Sequence, residues 1–286
     1  MFNAMNSLSE YCAEGSEFIE RMERVRDGVE LRVITFTPAV DRKNPVIVFI
    51  AGWISQMDSW KSVLQEMTKD FTVIYIETRE KISSRMEASA GYSIEEIGWD
   101  IVHLIEQWEL PSKGYILVGS SLGATVTVEC YHAITIPPAA VVLISPNAVF
   151  RVPLLWNIVI TLFYPPLYSV IKPFVKFYLK HFRLNVKADA AQYEKYCSAI
   201  DAADPWKLKK AVLSVAQYSI WHRLDSIDSP VLMIGAMHDT LHEPEHFRTI
   251  ASKIKNATVV DLNTNAETHS PRTVDAIRTF LPTILP

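Results

Sequence analysis

Six short, largely apolar runs constrain this chain more than any other feature: residues 45–50, 71–76, 115–118, 139–144, 231–234 and 258–262. They are rich in Val and Ile and lack a polar alternation, which suits strands buried on both faces. Such strands need helices above and below them, and segments of helical period lie between the runs. Ser93-Ile94-Glu95-Glu96 sets a hydroxyl three residues before a carboxylate, the pattern of a capping box. The helix behind it carries Ile97, Ile101, Leu104, Ile105 and Trp108 on one face. Pro271 opens the last helix, with Val274, Ile277, Phe280 and Leu281 facing inward. Ahead of the runs, segments 18–26 and 29–37 flank Asp27-Gly28, a strong hairpin signal. The pattern predicts an α/β fold, with a mostly parallel central sheet of about eight strands flanked by helices.

The alternation breaks between residues 147 and 225, where the sequence reads as helix only and is dense in aromatics. The expected organisation is a core of residues 1–146 and 226–286, with an all-helical cap at 147–225 inserted after the sixth strand. That cap is either a plain helical excursion or a lid over a site. Inside it, residues 152–171 carry no charge, but Pro153, Asn157, Pro165 and Pro166 interrupt them. A membrane span needs a continuous helix, so two short buried helices are expected here. Residues 151–187 hold Lys and Arg but no Asp or Glu, and Lys172, Lys176, Lys180, Arg183 and Lys187 recur as one helical stripe. The plain reading of the stripe is a solvated face. Its functional readings are peripheral docking of the basic cap helix on anionic lipid or steering of an anionic substrate. Trp156, Phe163, Tyr164 and Tyr168 are expected to line an apolar pocket, which favours a lipophilic acyl or aromatic substrate.

Charge and cysteine content exclude other classes. Lys plus Arg number 28 against 32 for Asp plus Glu, giving a formal charge of -4 and a pI near 6.1. That balance offers no general attraction for phosphate backbones, so no nucleic-acid partner is expected. Cys12, Cys130 and Cys197 are odd in number, scattered and without a Cys-x-x-Cys pair. They predict neither a disulfide framework nor a structural zinc cluster. Residues 1–28 include Glu10, Glu14, Glu17 and Glu20 and lack a basic start followed by an apolar run, so a cytoplasmic location is expected.

Glycine is scarce, nine residues in 286, and Gly52, Gly119, Gly123 and Gly235 all fall at or just beyond the C-terminal ends of predicted strands. In open α/β sheets that edge is where sites form. There a strand, 115–118, runs into Gly119-Ser120-Ser121-Leu122-Gly123 and on into a helix-forming stretch. This is the context of a nucleophile elbow, whose strained turn thrusts a serine hydroxyl outward. Ser121 then needs a base and a carboxylate to orient that base. Among the histidines, His103 and His132 lie inside predicted helices, whereas His269 sits in a loop between the last strand and the last helix, at the elbow's edge of the sheet. For the acid, Asp239 follows the strand 231–234 and falls between serine and histidine in chain order. Asp228 precedes its strand, Asp261 lies within one, and Glu267 is too near His269. His238, Asp239, His242 and His246 have a spacing that one helix would turn into a metal site. Pro244 opens that helix, however, and leaves His238 and His242 ahead of it, so neither a metal nor a cofactor is expected.

With these residues in this order, the chain resembles the α/β-hydrolase fold superfamily over nearly its whole length. It looks most like the serine esterases, lipases and carbon-carbon hydrolases whose helical cap follows the sixth strand. The resemblance is carried by the Ile50-Ala51-Gly52-Trp53 loop, the Gly119 to Gly123 elbow, the Asp239 loop and the His269 loop. It implies Ser121 as nucleophile, Asp239 as orienting acid, His269 as base, and an oxyanion hole from the backbone N–H groups of Trp53 and Leu122. Three departures stand out. Ala51 replaces the histidine that usually precedes Gly52, Glu77-Thr78-Arg79-Glu80 replaces Asp-x-Arg-Gly, and the acid loop is one residue longer than usual. The activity implied is hydrolysis of a carboxylic ester or thioester of a small-molecule acyl substrate through an acyl-enzyme. Two alternatives accompany it: a carbon-carbon bond hydrolase on the same triad, and a ligand-sensing protein of this fold with little turnover.

Overall fold

The computed structural model describes residues 8–40, 42–184, 186, 190–237 and 244–284. β1 (Glu17–Arg26) and β2 (Val29–Thr37) form the expected hairpin, with Gly28 at a φ of 71° in its turn. There follow β3 (Val46–Ile50), α1 (Lys61–Met67), β4 (Val73–Glu77), β5 (Arg85–Met86), α2 (Ile94–Gln107), β6 (Tyr115–Ser120), α3 (Leu122–Tyr131) and β7 (Ala140–Ile144). Next come four helices, α4 (Leu154–Leu162), α5 (Tyr168–Tyr178), α6 (Ala190–Ala202) and α7 (Pro205–Val215). The chain then returns to the sheet through β8 (Val231–Gly235), α8 (Pro244–Lys253), β9 (Ala257–Asp261), α9 (Asn265–Thr268) and α10 (Pro271–Phe280).

The strands form one sheet in the order β1-β2-β4-β3-β6-β7-β8-β9, with β5 paired to β2. Every pairing from β4 through β9 is parallel, and the pairings of β2 with β1, β4 and β5 are antiparallel. The eight strands read from the sequence are all present. The ninth, β5, has two residues, too few to show a pattern; the helical insertion follows the strand read as the sixth, which β5 makes β7. β4, β6, β7 and β8 are buried at every residue, as their composition demands. β9 is not: it forms an edge of the sheet, and Val259 faces solvent.

Alternate residues of each strand feed two layers. Ile47 and Phe49 of β3 join Trp60, Leu64, Val274 and Ile277 on one face. Val48 and Ile50 join Ile97, Ile101, Leu122 and Val126 on the other. α2 starts with the capping box read from the sequence, Glu96 N–H donating to Ser93 Oγ at 3.2 Å and Ser93 N–H to Glu96 Oε2 at 3.1 Å. Its Asp100 is tied to the turn after β4 by the fully buried Arg79, which donates through Nη2 at 2.7 Å and through Nε to the second oxygen. Burial pushes the Asp100 carboxyl up, and the Arg79 guanidinium opposes that shift.

The insertion leaves and rejoins the sheet through a narrow neck. Phe150 bonds across it to two residues, its N–H donating to Tyr218 O at 2.9 Å and its O accepting from Gln217 N–H at 2.8 Å. Residues 152–171 do form two short helical segments, broken around Pro165 and Pro166. They are not the buried pair the sequence suggests: α4 has no buried residue, and it meets the next helical segment at a bend of 101°. Among the described residues, no single helix is long and apolar enough to cross a membrane.

The buried pair across β4 and α2 yields a prediction. Arg79→Met should strand the Asp100 carboxylate and lower unfolding stability by about 3 kcal/mol or more. The double variant with Asp100→Leu should recover most of that loss, both measured by urea denaturation.

Candidate active site

The site is built on the sharp turn between β6 and α3. Ser121 has φ 50° and ψ −113°, a conformation that costs a non-glycine residue about 1–3 kcal/mol and persists only where its surroundings enforce it. Ser121 N–H donates to Ile144 O at 2.9 Å, and Ser121 O accepts from Thr125 N–H at 3.1 Å, so both sides of the residue are fixed. The flanking glycines are required by contact. A Cβ on Gly123 would stand 2.1 Å from Ile50 O, and one on Gly119 would stand 2.4 Å from Gly123 O. Leu122 is the first residue of α3, a position whose amide has no intrahelical acceptor and is therefore available to an oxyanion. Gly52 brings the β3 loop against the elbow, where an added Cβ would touch Ser121 Cβ at 3.3 Å.

His269 caps the C-terminal end of α9 and stacks on Trp60 with ring centroids 4.1 Å apart. Its Nδ1 lies 3.0 Å from Asn265 O and 3.1 Å from Thr268 Oγ1. A carbonyl oxygen can only accept, so Nδ1 carries the hydrogen and Nε2 is left as an acceptor, the form a general base needs. Lys195, from α6, donates to that Nε2 at 3.2 Å and to Asn265 Oδ1 at 2.7 Å. On the serine side, Asn147 Nδ2 donates to Ser121 Oγ at 3.1 Å.

Ser121 and His269 line one cavity of about 510 Å³, together with Gly52, Trp53, Asn147 and Lys195. Two buried polar atoms of its lining residues, Trp53 Nε1 and Ser145 Oγ, have no partner among the described residues. The insertion contributes Leu179, Tyr196, Ala199 and Leu208 to the wall. The aromatics expected there take other places: Trp156 and Tyr164 face solvent, while Phe163 and Tyr168 pack with Ile200 and Ala203. Asp239 lies outside the described residues, as do His238 and His242 of the metal alternative. His246, on α8, has its ring near that of Trp221.

No family model matches the chain, and no curated protein is recognisably similar in sequence. Solved structures are. An esterase from Thermogutta terrifontis superposes with a TM-score of 0.73 at 18% identity, covering 94% of this chain and 100% of its own. A bromoperoxidase from Bacillus anthracis gives 0.72 at 17%, covering 93% and 99%. The enol-lactonase from Burkholderia xenovorans LB400 gives 0.67 at 18%, covering 92% and 97%. The chain has the α/β-hydrolase fold.

Within that fold, the departures noted in the sequence acquire a physical account. Ala51 precedes Gly52, and the loop is anchored from the turn after β4. The buried Lys81 ammonium donates to Gly52 O at 2.7 Å and pairs with the Glu80 carboxylate, which also accepts from Thr78 Oγ1. Lys207 of α7 reaches across to Lys81 O at 2.6 Å, and burial pushes its ammonium pKa down. Glu80 and Lys81 thus tie the turn after β4 to the β3 loop. In the sequence Glu80 stands out only as a departure from the usual pattern, and nothing marks Lys81. Lys195, Asn147 and Asn265 were also missed, because nothing local marks a residue that acts through a distant partner.

The anchor can be tested without leaving a charge unpaired. The double variant Glu80→Gln/Lys81→Met should stay folded by circular dichroism. It should lose about tenfold to a hundredfold in the rate at which Ser121 reacts with a fluorophosphonate, because the Gly52–Trp53 backbone is no longer held.

Proposed function

We propose that the protein is a serine hydrolase that cleaves a carboxylic ester or thioester of a lipophilic acyl compound. The observation that carries this reading is the pairing, across one cavity, of a serine held at φ 50° with a histidine whose Nε2 is set to accept a proton. The esterase and the enol-lactonase among the structural neighbours are named for acyl–oxygen chemistry, which agrees with it.

In the proposed cycle, Ser121 Oγ attacks the acyl carbon as His269 Nε2 takes its proton. The carbonyl oxygen gains negative charge and is received by the Trp53 and Leu122 N–H groups, each such donor being worth about 3 kcal/mol in the transition state. The tetrahedral species expels the alcohol or thiol, which leaves with the proton from His269. Water, deprotonated by the same nitrogen, then attacks the acyl-serine, and collapse returns the proton to Ser121 Oγ and releases the acid. Asp239 is assigned the orienting role by its place in the chain. Lys195 occupies Nε2 in the structure and has Asn265 Oδ1 as a second acceptor, so it can yield that nitrogen to the serine without losing all its bonds. The wall formed by Phe150, Leu179, Ala199 and Leu208 favours an apolar acyl group.

Labelling with a fluorophosphonate tests the proposal. The wild type should be modified once, on Ser121, and Ser121→Ala should not react. His269→Ala and Asp239→Asn should slow labelling by at least about a hundredfold while remaining folded. Labelling that survives Ser121→Ala would overturn the mechanism.

A further inference from the structure

The helical insertion turns its greasy side outward. Fourteen of the twenty large apolar side chains exposed on the described surface lie within residues 154–182. Leu154 is 74% exposed, Leu162 80%, Phe174 70% and Phe182 70%, and Trp156 and Phe177 are more than half exposed. Monomeric soluble proteins rarely leave apolar surface clustered in this way, and such patches mark interaction sites.

The basic stripe of α5 is not what faces outward. Lys172 donates to Asp201 O at 2.8 Å, Lys176 pairs with the Asp201 carboxylate at 2.6 Å, and Lys180 lies over the Tyr193 ring. These lysines lean toward α6, and the opposite face, with Val170, Phe174 and Phe177, is left to the exterior. The hairpin is held in shape from behind: Lys209 of α7 donates to Thr161 O at 2.7 Å and to Phe163 O at 2.8 Å, fixing the bend between α4 and α5.

We propose that the outer face of α4 and α5 docks on an anionic lipid bilayer, with its apolar side chains entering the headgroup–acyl boundary. Charge selects this occupant. Residues 151–184 contain Arg and Lys but no Asp or Glu. Along the border with α6, where Lys176 meets the carboxylate of Asp201, Lys172, Lys176 and Lys180 leave that edge of the apolar face with an excess of positive charge. Anionic headgroups complement that excess of positive charge. A second copy docked by two-fold symmetry would set the same cations against themselves. Trp156, Tyr164 and Tyr178 have the amphipathic rings that settle at a membrane–water boundary. Neither segment alone is long and apolar enough to span, and the 101° bend between them suits an in-plane arrangement with the apolar face at the boundary.

Vesicle flotation with the full chain tests the docking independently of any catalysis. The wild type should float with phosphatidylcholine vesicles containing about 30% phosphatidylserine, and less with pure phosphatidylcholine or in high salt. Leu155→Ser/Phe174→Ser/Phe177→Ser changes only exposed positions and should reduce flotation at least about tenfold, with an unchanged circular dichroism spectrum. Arg151→Glu should weaken binding to the anionic vesicles selectively. The proposal is overturned if the wild type does not float with anionic vesicles, or if the triple variant floats as well as the wild type. It is equally overturned if sedimentation reveals a dimer that the triple substitution dissociates while vesicles capture nothing.

Discussion

The architecture of the site depends on one close approach, that of the β3 loop to the turn between β6 and α3. Ile50 O comes so near Gly123 that no side chain fits between them, and Gly52 rests on Ser120 and Ser121. Neither segment can relax without displacing the other. The strain at Ser121 is therefore sustained by neighbouring backbone, while the parallel pairing of β3 with β6 and of β6 with β7 brings those neighbours into place. The result is an hydroxyl directed into a cavity, beside a helix start whose first amides have no helical acceptor.

Around this contact, the fold satisfies its buried polar groups in an individual way. Arg79 and Asp100 tie β4 to α2, and the Glu80–Lys81 pair holds the Gly52 carbonyl from below. Lys207 and Lys195 both come from the insertion, one donating to the turn that carries Lys81 and the other to His269. The insertion is thus coupled to both halves of the site by single ammonium groups. A movement of α6 would be felt at His269, and one of α7 at the turn that holds the Gly52 carbonyl.

What could be read from the sequence was whatever local chemistry dictates. Asp27-Gly28, the Ser93–Glu96 box and the glycines around Ser121 each act over a few residues, and all of them stand where their chemistry requires. Long-range partners left no such mark. Lys195 is 74 residues from His269, and Lys81 is 29 from the carbonyl it holds. Periodicity located α4 and α5 but could not say which side would be covered. The expected pocket aromatics consequently proved to be exposed or packed elsewhere, and the expected buried pair presents its apolar surface outward. β9 was misread for the same reason, since an apolar run does not reveal whether a neighbour lies beyond it.

The proposed chemistry requires the elbow, the Gly52–Trp53 loop and His269 to meet around one reacting centre. The direct measurement is a crystal structure of the protein after reaction with a phosphonate ester. It should contain a phosphorus bonded to Ser121 Oγ, an oxygen within hydrogen-bond reach of the Trp53 and Leu122 amides, and His269 Nε2 turned to the adduct with Lys195 displaced. An adduct on another residue, or a phosphoryl oxygen directed away from both amides with Lys195 still on His269, would contradict it.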